Sequence, residues 1–470
     1  MIAAIVHKEF TSTLRDGRLL TLGCALLVLF IGFFLASTFE LQQLRQEKDS
    51  VGITAKAQWN TQSVKNPHAA AHYGIYVFKP DSPVAALDPG LRPFIGQSLW
   101  LEPHKRNLMR FNPSEDQILA NRFGQASTSF VLYALLPLLI LALTFNSVSQ
   151  ERERGTLRML HSLGLNAKAL VFGKLLGLLA AFTLVLSPAL LIALMLLQQR
   201  FTLNADDVLR LMLLLTAFLI YYSIFVAVAI AASAYFKTSR VTLFFLLAFW
   251  LGGVFIAPRL GAVAAQTLIA LPSTQQFWAD IKEDIEHGLN NDGSQEQRVK
   301  AFEAKILQQY NVSRKEDLPV GFVSLNRQFN DGYSSRVHAL HFDQLRDKFS
   351  QQQQLTHLAS WLGPSLAVRS IAMSLAGMDL AHQRHFEDAA EEYRHYFINL
   401  TEDLDRERSH GTERTAKGEE ADWRSVKDFE YTAPNLSFAL QAAQLDLLVL
   451  LLWLAIALIL LNLSAKRLTP

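Results

Sequence analysis

The chain of 470 residues has a single cysteine, Cys24, so an intrachain disulfide or a cysteine-rich metal site cannot form. It also has little excess of charge, because 44 Lys and Arg stand against 42 Asp and Glu and leave a net charge of +2. A net charge this small neither favours nor excludes binding to nucleic acid. However, no basic patch with interleaved aromatic residues occurs, so we expect no nucleic-acid partner.

Sequence signatures of catalysis are missing as well. The chain contains no Gly-x-x-x-x-Gly-Lys-Ser/Thr stretch for holding nucleotide phosphates and no His-Glu-x-x-His pattern for a catalytic zinc; His7-Lys8-Glu9 does not match it. We therefore expect a non-catalytic subunit with no catalytic residues, no metal site and no cofactor bound by this chain.

Long apolar runs are present in abundance. Half of the residues are hydrophobic, yet the mean hydropathy is only +0.17, which indicates a membrane part combined with a large aqueous part. About 20 apolar residues are needed for a helix to cross a bilayer, and six stretches qualify. These predicted spans are residues 19–39, 127–148, 169–197, 208–234, 241–257 and 443–463.

The centres of these runs lack charge. Lys174, Arg210 and Asp446 stand near the ends, where we expect long basic side chains and a carboxylate to reach the membrane interface. A charge at the middle of a span typically marks ion coupling, so its absence disfavours a transporter driven by an ion gradient. If this protein moves a substrate, the energy must come from a partner.

Positive charge near the span ends predicts the topology. Four basic clusters lie before span one, between spans two and three, between spans four and five, and after span six. With six spans, these four places are all on the same side of the membrane. We expect that side, and both termini with it, to be cytosolic. The clusters are Lys8, Arg15 and Arg18; Arg152, Arg154, Arg158 and Lys168; Lys237 and Arg240; and Lys466 and Arg467.

Two long insertions, residues 40–126 and 259–442, then lie outside the cytosol and are predicted to form one mostly helical domain. The first begins as an extension of the first span and then becomes rich in proline, with a turn at Asp88-Pro89-Gly90. In the second, residues 260–271 are either re-entrant or a buried helix, and the charged residues 401–420 are predicted to be a loop.

Several polar groups have a structural and a functional interpretation. An amphipathic helix with solvated side chains is favoured over a metal site for His382, His385, Glu387, Glu391 and His395, and His68 and His72 are weaker metal candidates still. Gly173-x-x-x-Gly177 is typical of close helix packing. The candidate pathway residues, which are more often helix–helix hydrogen bonders, are Tyr133, Asn146, Ser187, Tyr221 and Tyr222.

The short charged segment 149–168 between the second and third spans is the most informative stretch. Its Glu-Arg-Glu-Arg-Gly-Thr-Leu motif and the N-terminal residues 1–18, with Lys8, Glu9, Phe10, Arg15 and Arg18, resemble the permease subunits of type-2 ABC (ABC-2) exporters. Six spans with both termini inside, which places the tail 464–470 in the cytosol, also match, as does the short apolar piece after span five. More specifically, it resembles a subgroup with long insertions after spans one and five.

This resemblance implies an all-α, multi-pass protein of the bacterial inner membrane, acting with a second permease subunit, identical or homologous, and with cytosolic ATPase subunits that bind ATP and Mg. It also allows a periplasmic partner at the insertions. Residues 1–18 would form an amphipathic elbow. The ATPase would touch a coupling segment made of Glu151, Arg152, Glu153, Arg154, Gly155, Thr156 and Leu157. Two alternatives remain open: ABC-driven mechanical transmission without transport, and a membrane-anchored receptor or scaffold.

Overall fold

The computed structural model describes residues 2–109 and 127–468. Residues 110–126 of the first predicted insertion, and the ends of the elbow and of the tail (Met1 and residues 469–470), lie outside the described residues. Within the described part, the chain forms nineteen α-helices and one two-stranded sheet, which confirms the predicted helical fold class.

The helices are α1 (Ile2–Arg15), α2 (Arg18–Asn60), α3 (Pro67–Ala71), α4 (Thr128–Phe130), α5 (Leu136–Thr144), α6 (Ser149–Glu153), α7 (Thr156–Ser162), α8 (Ala167–Arg200), α9 (Ala205–Tyr235), α10 (Ser239–Leu251), α11 (Ala257–Leu268), α12 (Thr274–His287), α13 (Gln295–Tyr310), α14 (Phe322–Leu358), α15 (Pro364–Leu375), α16 (Leu380–Glu407), α17 (Glu420–Ser425), α18 (Leu436–Ala442) and α19 (Gln444–Lys466). Strands β1 (Ile75–Phe78) and β2 (Ser98–Leu101) pair antiparallel, with Ile75 opposite Leu101. Short 3-10 helices cover Pro83–Ala86, Lys315–Asp317 and Ala359–Leu362, and π-helical turns cover Val131–Leu135 and Gly252–Ile256.

Six helical stretches are long and apolar enough to cross a membrane, and each overlaps a predicted span. Large apolar side chains stay exposed on them, including Val28 (71%) and Phe244 (75%), as expected where a helix faces lipid rather than water. The protein is therefore a multi-pass membrane protein. The stretches are α2, Thr128–Glu153 (α4 to α6), α8, α9, Ser239–Leu268 (α10 and α11) and α19.

Two of these helices run well past the predicted spans. The 43 residues of α2 make a rod of about 64 Å, roughly twice the thickness of the hydrocarbon core, so its second half continues beyond the membrane. The apolar piece after span five is not a separate element. Through residue 268 it continues the same helix as α11, and Gly261 lets α11 approach Ala359 closely.

Prolines inside the spans leave backbone carbonyls without a helical donor, and hydroxyl groups from side chains supply the missing bond. Pro137 has no N–H for the carbonyl of Tyr133 or Leu132. Tyr221 donates to the Tyr133 carbonyl (2.7 Å) and Tyr222 to the Leu132 carbonyl (3.1 Å). The π-helical turn of the second span is thereby fixed to α9.

The same solution recurs at two other prolines. Ser187 donates to the carbonyl of Leu184 (2.9 Å), the group that an N–H at Pro188 would otherwise reach. Five residues before Pro258, the carbonyl of Gly253 accepts from Ser365 of α15 at 2.5 Å. Each bond satisfies a polar group that would be costly to leave open in hydrocarbon.

Both insertions contribute to one folded unit, called here the insert domain (residues 40–109 and 269–442). Trp59 at the C-terminal end of α2 and Trp423 of α17 are both fully buried, and the Trp59 indole donates to the Trp423 carbonyl at 2.8 Å. Val77 and Leu99 of the small sheet pack on Phe386 of α16. The shared cores confirm that the two insertions fold together.

The insert domain is clamped to the membrane helices by buried ions. Arg210 of α9 donates to the carbonyls of Leu375 (3.2 Å) and Pro434 (2.8 Å). Asp446 of α19 accepts from Ser370 (2.6 Å) and lies 2.8 Å from His357 Nδ1. Both side chains were predicted to reach the membrane interface, but both are buried among protein groups, which makes that prediction wrong.

The prediction of a loop at residues 401–420 is also wrong for its first seven residues, 401–407. The long helix α16 continues to Glu407, and Glu402 and Asp405 are buried. Their charges are matched by Arg327 of α14, which forms ion pairs with both. The first charged residues of this segment, which are predicted from the sequence to be in a loop, therefore form buried ion pairs inside the insert domain.

Candidate functional site: a charged junction of elbow, coupling segment and spans

The elbow helix α1 lies directly on α8 at the two glycines of the Gly-x-x-x-Gly pattern. A Cβ atom at Gly173 would stand 2.7 Å from Ile5 Cγ2, and one at Gly177 would stand 2.8 Å from both Glu9 Cβ and the Val6 carbonyl oxygen. Such distances are shorter than any ordinary contact of a real Cβ atom. The glycine pair is therefore the seat of α1 on the third span.

Beside this seat lies a group of four charges, called here the elbow cluster: Lys8 and Glu9 of α1, Glu151 of α6 and Lys174 of α8. Lys174 Nζ lies 2.9 Å from Glu9 Oε1 and 2.9 Å from Glu151 Oε1. Lys8 Nζ lies 2.6 Å from Glu9 and 3.5 Å from Glu151. One ammonium group thus ties three helices together.

The elbow cluster is balanced in charge and largely withdrawn from solvent. The Lys174 side chain is 2% exposed, against 61% for Lys8. Burial alone would raise the pKa of Glu9, but Lys174 and Lys8 outweigh it and hold that pKa below its ordinary value. The prediction that Lys174 extends to the interface is wrong, since carboxylates from α1 and α6 come to it instead.

The next two charged residues of the coupling segment also bond to other helices of the same chain. Arg152 donates to the carbonyls of Phe236 (2.5 Å) and Ala234 (2.6 Å) at the end of α9. Glu153 accepts from the backbone N–H of Ser239 at 2.7 Å, at the start of α10. Consecutive residues therefore fasten α6 to four different helices: α1, α8, α9 and α10.

The exposed part of the coupling segment follows these anchors. Arg154, Gly155 and Thr156 are exposed and Leu157 is buried. Gly155 takes φ +76°, a left-handed conformation that glycine adopts without strain, and so turns the chain into α7. On and beyond α7, Arg158, Met159 (58% exposed) and Leu163 (76% exposed) present a mixed basic and apolar surface.

The other elbow residues divide between packing and solvent. Phe10 packs, partly buried, against the core of the helix bundle. Arg15 is exposed, and Arg18 forms an ion pair with Asp16 at the bend where Gly17 takes φ +77°. At the same end of the bundle, Arg467 lies over the Tyr235 ring at 4.3 Å. The four basic clusters of the sequence thus gather at one end of the bundle.

The candidate pathway residues are only partly brought together. Tyr133, Tyr221 and Tyr222 meet at the π-helical turn of the second span, and Tyr222 lines an apolar cavity of about 220 Å³ between α2, α8 and α9. Asn146 instead donates to Gln150 near the coupling segment, and Ser187 bonds to its own helix. The pathway role stays a prediction.

Sequence reasoning missed Lys174 as part of this site. The available signal was a lysine one residue after Gly173, on the face that the glycine pair opens to a neighbouring helix. In this chain the charge next to the close-packing motif pairs with buried carboxylates of two other helices.

Comparison with known families agrees with this architecture. A family model described as "ABC-2 family transporter protein" matches residues 108–281, a segment that contains α5 to α11 with the coupling segment and Lys174. A second, described as a domain of unknown function (DUF3526), matches residues 274–432 in the insert domain. No curated protein and no solved structure matches the chain. In its membrane part, this multi-pass protein resembles the permease subunits of ABC-2 transporters.

Proposed function

We propose that this chain is the permease subunit of an ABC exporter, and that it couples ATP hydrolysis on a separate subunit to movement of a substrate across the bacterial inner membrane. The observation that carries the proposal is the match of residues 108–281 to the ABC-2 family, since that segment includes the coupling segment and Lys174. Two permease subunits would pair with two ATPase subunits, which bind ATP and Mg.

In this proposal, two parts of the segment between the second and third spans have different roles. The exposed Arg154 and the exposed surface of α7, with Arg158 and Met159, receive the ATPase in the cytosol. Glu151, Arg152 and Glu153 pass its movement to α1, α8, α9 and α10 through the bonds that fasten α6. Support comes from the position of all four basic clusters at one end, which the positive-inside rule assigns to the cytosol.

The test is copurification and coupled turnover of the complex after mild detergent extraction. The double variant Arg158→Glu/Met159→Asp should lose the ATPase or its coupled turnover, while Arg414→Glu, the same arginine reversal at an exposed position of the insert domain, should keep both. Absence of any ATPase with the unaltered chain would contradict the permease proposal and favour a receptor or scaffold. Normal coupling in the double variant would contradict only the role of α7.

A second candidate function is mechanical transmission to the insert domain without transport. It is favoured by the buried clamps at Arg210 and Asp446 and by α15, whose Val368 and Ile371 lie in the core of the membrane bundle. ATP-driven distance changes in the insert domain, with no substrate movement in reconstituted vesicles, would select this alternative over export.

A further inference from the structure

Three histidines of the insert domain converge on one point of its surface. His68 lies on α3 and His72 ends that helix one turn later, so both rings project from the same face. His104 arrives from the loop after β2. The ring centroids are 4.6 Å (His68 to His72), 5.2 Å (His68 to His104) and 5.1 Å (His72 to His104) apart.

Their nitrogen atoms are spaced for a single ion. One ring nitrogen from each histidine can be chosen so that all three lie within 4.8 Å of one another, and the Nε2 atoms of His68 and His72 are 3.0 Å apart. With zinc–nitrogen bonds of about 2.0–2.1 Å, two ligands at a tetrahedral angle are separated by about 3.3 Å. Small movements of the two exposed rings, His72 and His104, around the less exposed His68 would complete such a site.

Carboxylates stand behind two of the rings. Glu402, whose side chain is 1% exposed, contacts His68 Nδ1, and Asp331 Oδ1 lies 2.7 Å from His104 Nδ1. A carboxylate at Nδ1 holds the proton there and leaves Nε2 free to bind, which is the usual arrangement behind a metal-bound histidine.

The surroundings hold these groups in place. Asn66 caps α3 by accepting from the backbone N–H of His68 at 3.0 Å. Ser324 donates to Glu402 at 2.8 Å, and Arg327 forms an ion pair with it. His104 takes φ +70°, a strained conformation for a residue with a side chain, and such strain is typical of functional positions.

We propose that His68, His72 and His104 bind one divalent transition-metal ion of the zinc class, with the fourth coordination position open to water. Imidazole ligands suit zinc, copper, iron and nickel, and three histidines with an open position match known zinc sites. The site joins both insertions, because its histidines come from the first and its supporting carboxylates from the second. It does not depend on the permease role.

The experiment is titration of the full-length chain in detergent, purified without a histidine tag and treated with a chelator, using Co²⁺ as a spectroscopic probe and Zn²⁺ as competitor. We expect one Co²⁺ per chain with tetrahedral absorption, displaced by Zn²⁺. His72→Ala and His104→Ala should abolish it, and Asp331→Asn should weaken binding about 10–100-fold.

His395→Ala is the matched control, because His395 is an exposed histidine of α16 that pairs with Glu391 outside this group. It should bind Co²⁺ as the unaltered chain does. Since His72 is exposed, His72→Ala should melt at an unchanged temperature. Failure of the unaltered chain to bind, or equal binding by the folded His72→Ala variant, would overturn the proposal.

Discussion

Lys174 is a charge carried inside an apolar helix, and it is tolerated because two carboxylates meet it there. Each partner comes from a different helix, so the ion pairs report whether α1, α6 and α8 are correctly assembled. Removing one member of a buried ion group is far more costly than removing an exposed member, because the remaining charges lose their compensation.

We therefore expect Lys174→Met to lower the free energy of unfolding by about 3–5 kcal/mol, measured by thermal melting in detergent. Lys8→Met is the control, since Lys8 touches the same carboxylates but is 61% exposed, and it should cost less than about 1 kcal/mol. Glu9→Gln and Glu151→Gln together should recover much of the stability of Lys174→Met. Equal effects of the two lysine variants would contradict the buried cluster.

Asp88 of the insert domain is a second residue with a measurable electrostatic signature. Burial raises its pKa from 3.8 to about 6, against the opposing effects of the Gly90 N–H bond and of Arg369. The folded chain therefore binds more protons than the unfolded chain between these values. Stability contributed by this group is present below pH 3.8 and is lost as pH rises through about 6.

Asp88→Asn should increase the free energy of unfolding at pH 8 by about 3 kcal/mol, which is measured as a higher melting temperature. This gain in stability should vanish toward pH 4. The amide can still accept the 2.9 Å bond from Gly90. Asp81→Asn should have the opposite sign at pH 8, because Asp81 is paired with Lys48 at 2.6 Å. A pH-independent effect of Asp88→Asn would refute the assignment.

At the scale of helices, the seat of α1 on α8 depends on the absence of side chains at two positions. Gly177→Val would place a Cβ atom 2.8 Å from the Val6 carbonyl oxygen and should displace the elbow. We expect faster proteolysis at Arg15 in this variant. Gly32→Val is the control, because a Cβ atom there meets nothing within 4 Å, and it should leave proteolysis unchanged. Equal cleavage rates would show that the seat is not needed.

The existence of the membrane helices could be predicted from the sequence, but their ends and mutual contacts could not. Apolar runs locate the spans because hydrocarbon imposes their length, and the predicted extension of the first span is present, since α2 continues to Asn60. The elbow cluster was hidden because Glu9, Glu151 and Lys174 are far apart in the chain. Pro137 is visible in the sequence, but the hydroxyl groups that satisfy the carbonyls near it belong to Tyr221 and Tyr222 of another helix, which the sequence does not place.

On the scale of the whole molecule, two insertions separated by four membrane spans close around shared tryptophans. Trp423 is fully buried, its indole donates to Gln62 at 3.1 Å, and its carbonyl receives the Trp59 bond. Neither insertion has this core by itself, so the insert domain should unfold as one unit.

Trp423→Ala should therefore cost about 3–5 kcal/mol and accelerate hydrogen exchange in both insertions, around α3 as well as in α16. Trp361→Ala offers a matched comparison, because Trp361 is 55% exposed and should change exchange little. Faster exchange confined to the second insertion would show that the two insertions are independent.

The continuous rod of α2 has a mechanical consequence. It begins at the Gly17 bend beside the elbow and ends at Trp59 and Asn60 in the insert domain, without an internal break. A tilt of about 5° around Gly17 would move the far end of this rod of about 64 Å roughly 6 Å sideways. A small rotation of α2 at its elbow end would thus displace its other end, in the insert domain, by about the width of a side chain.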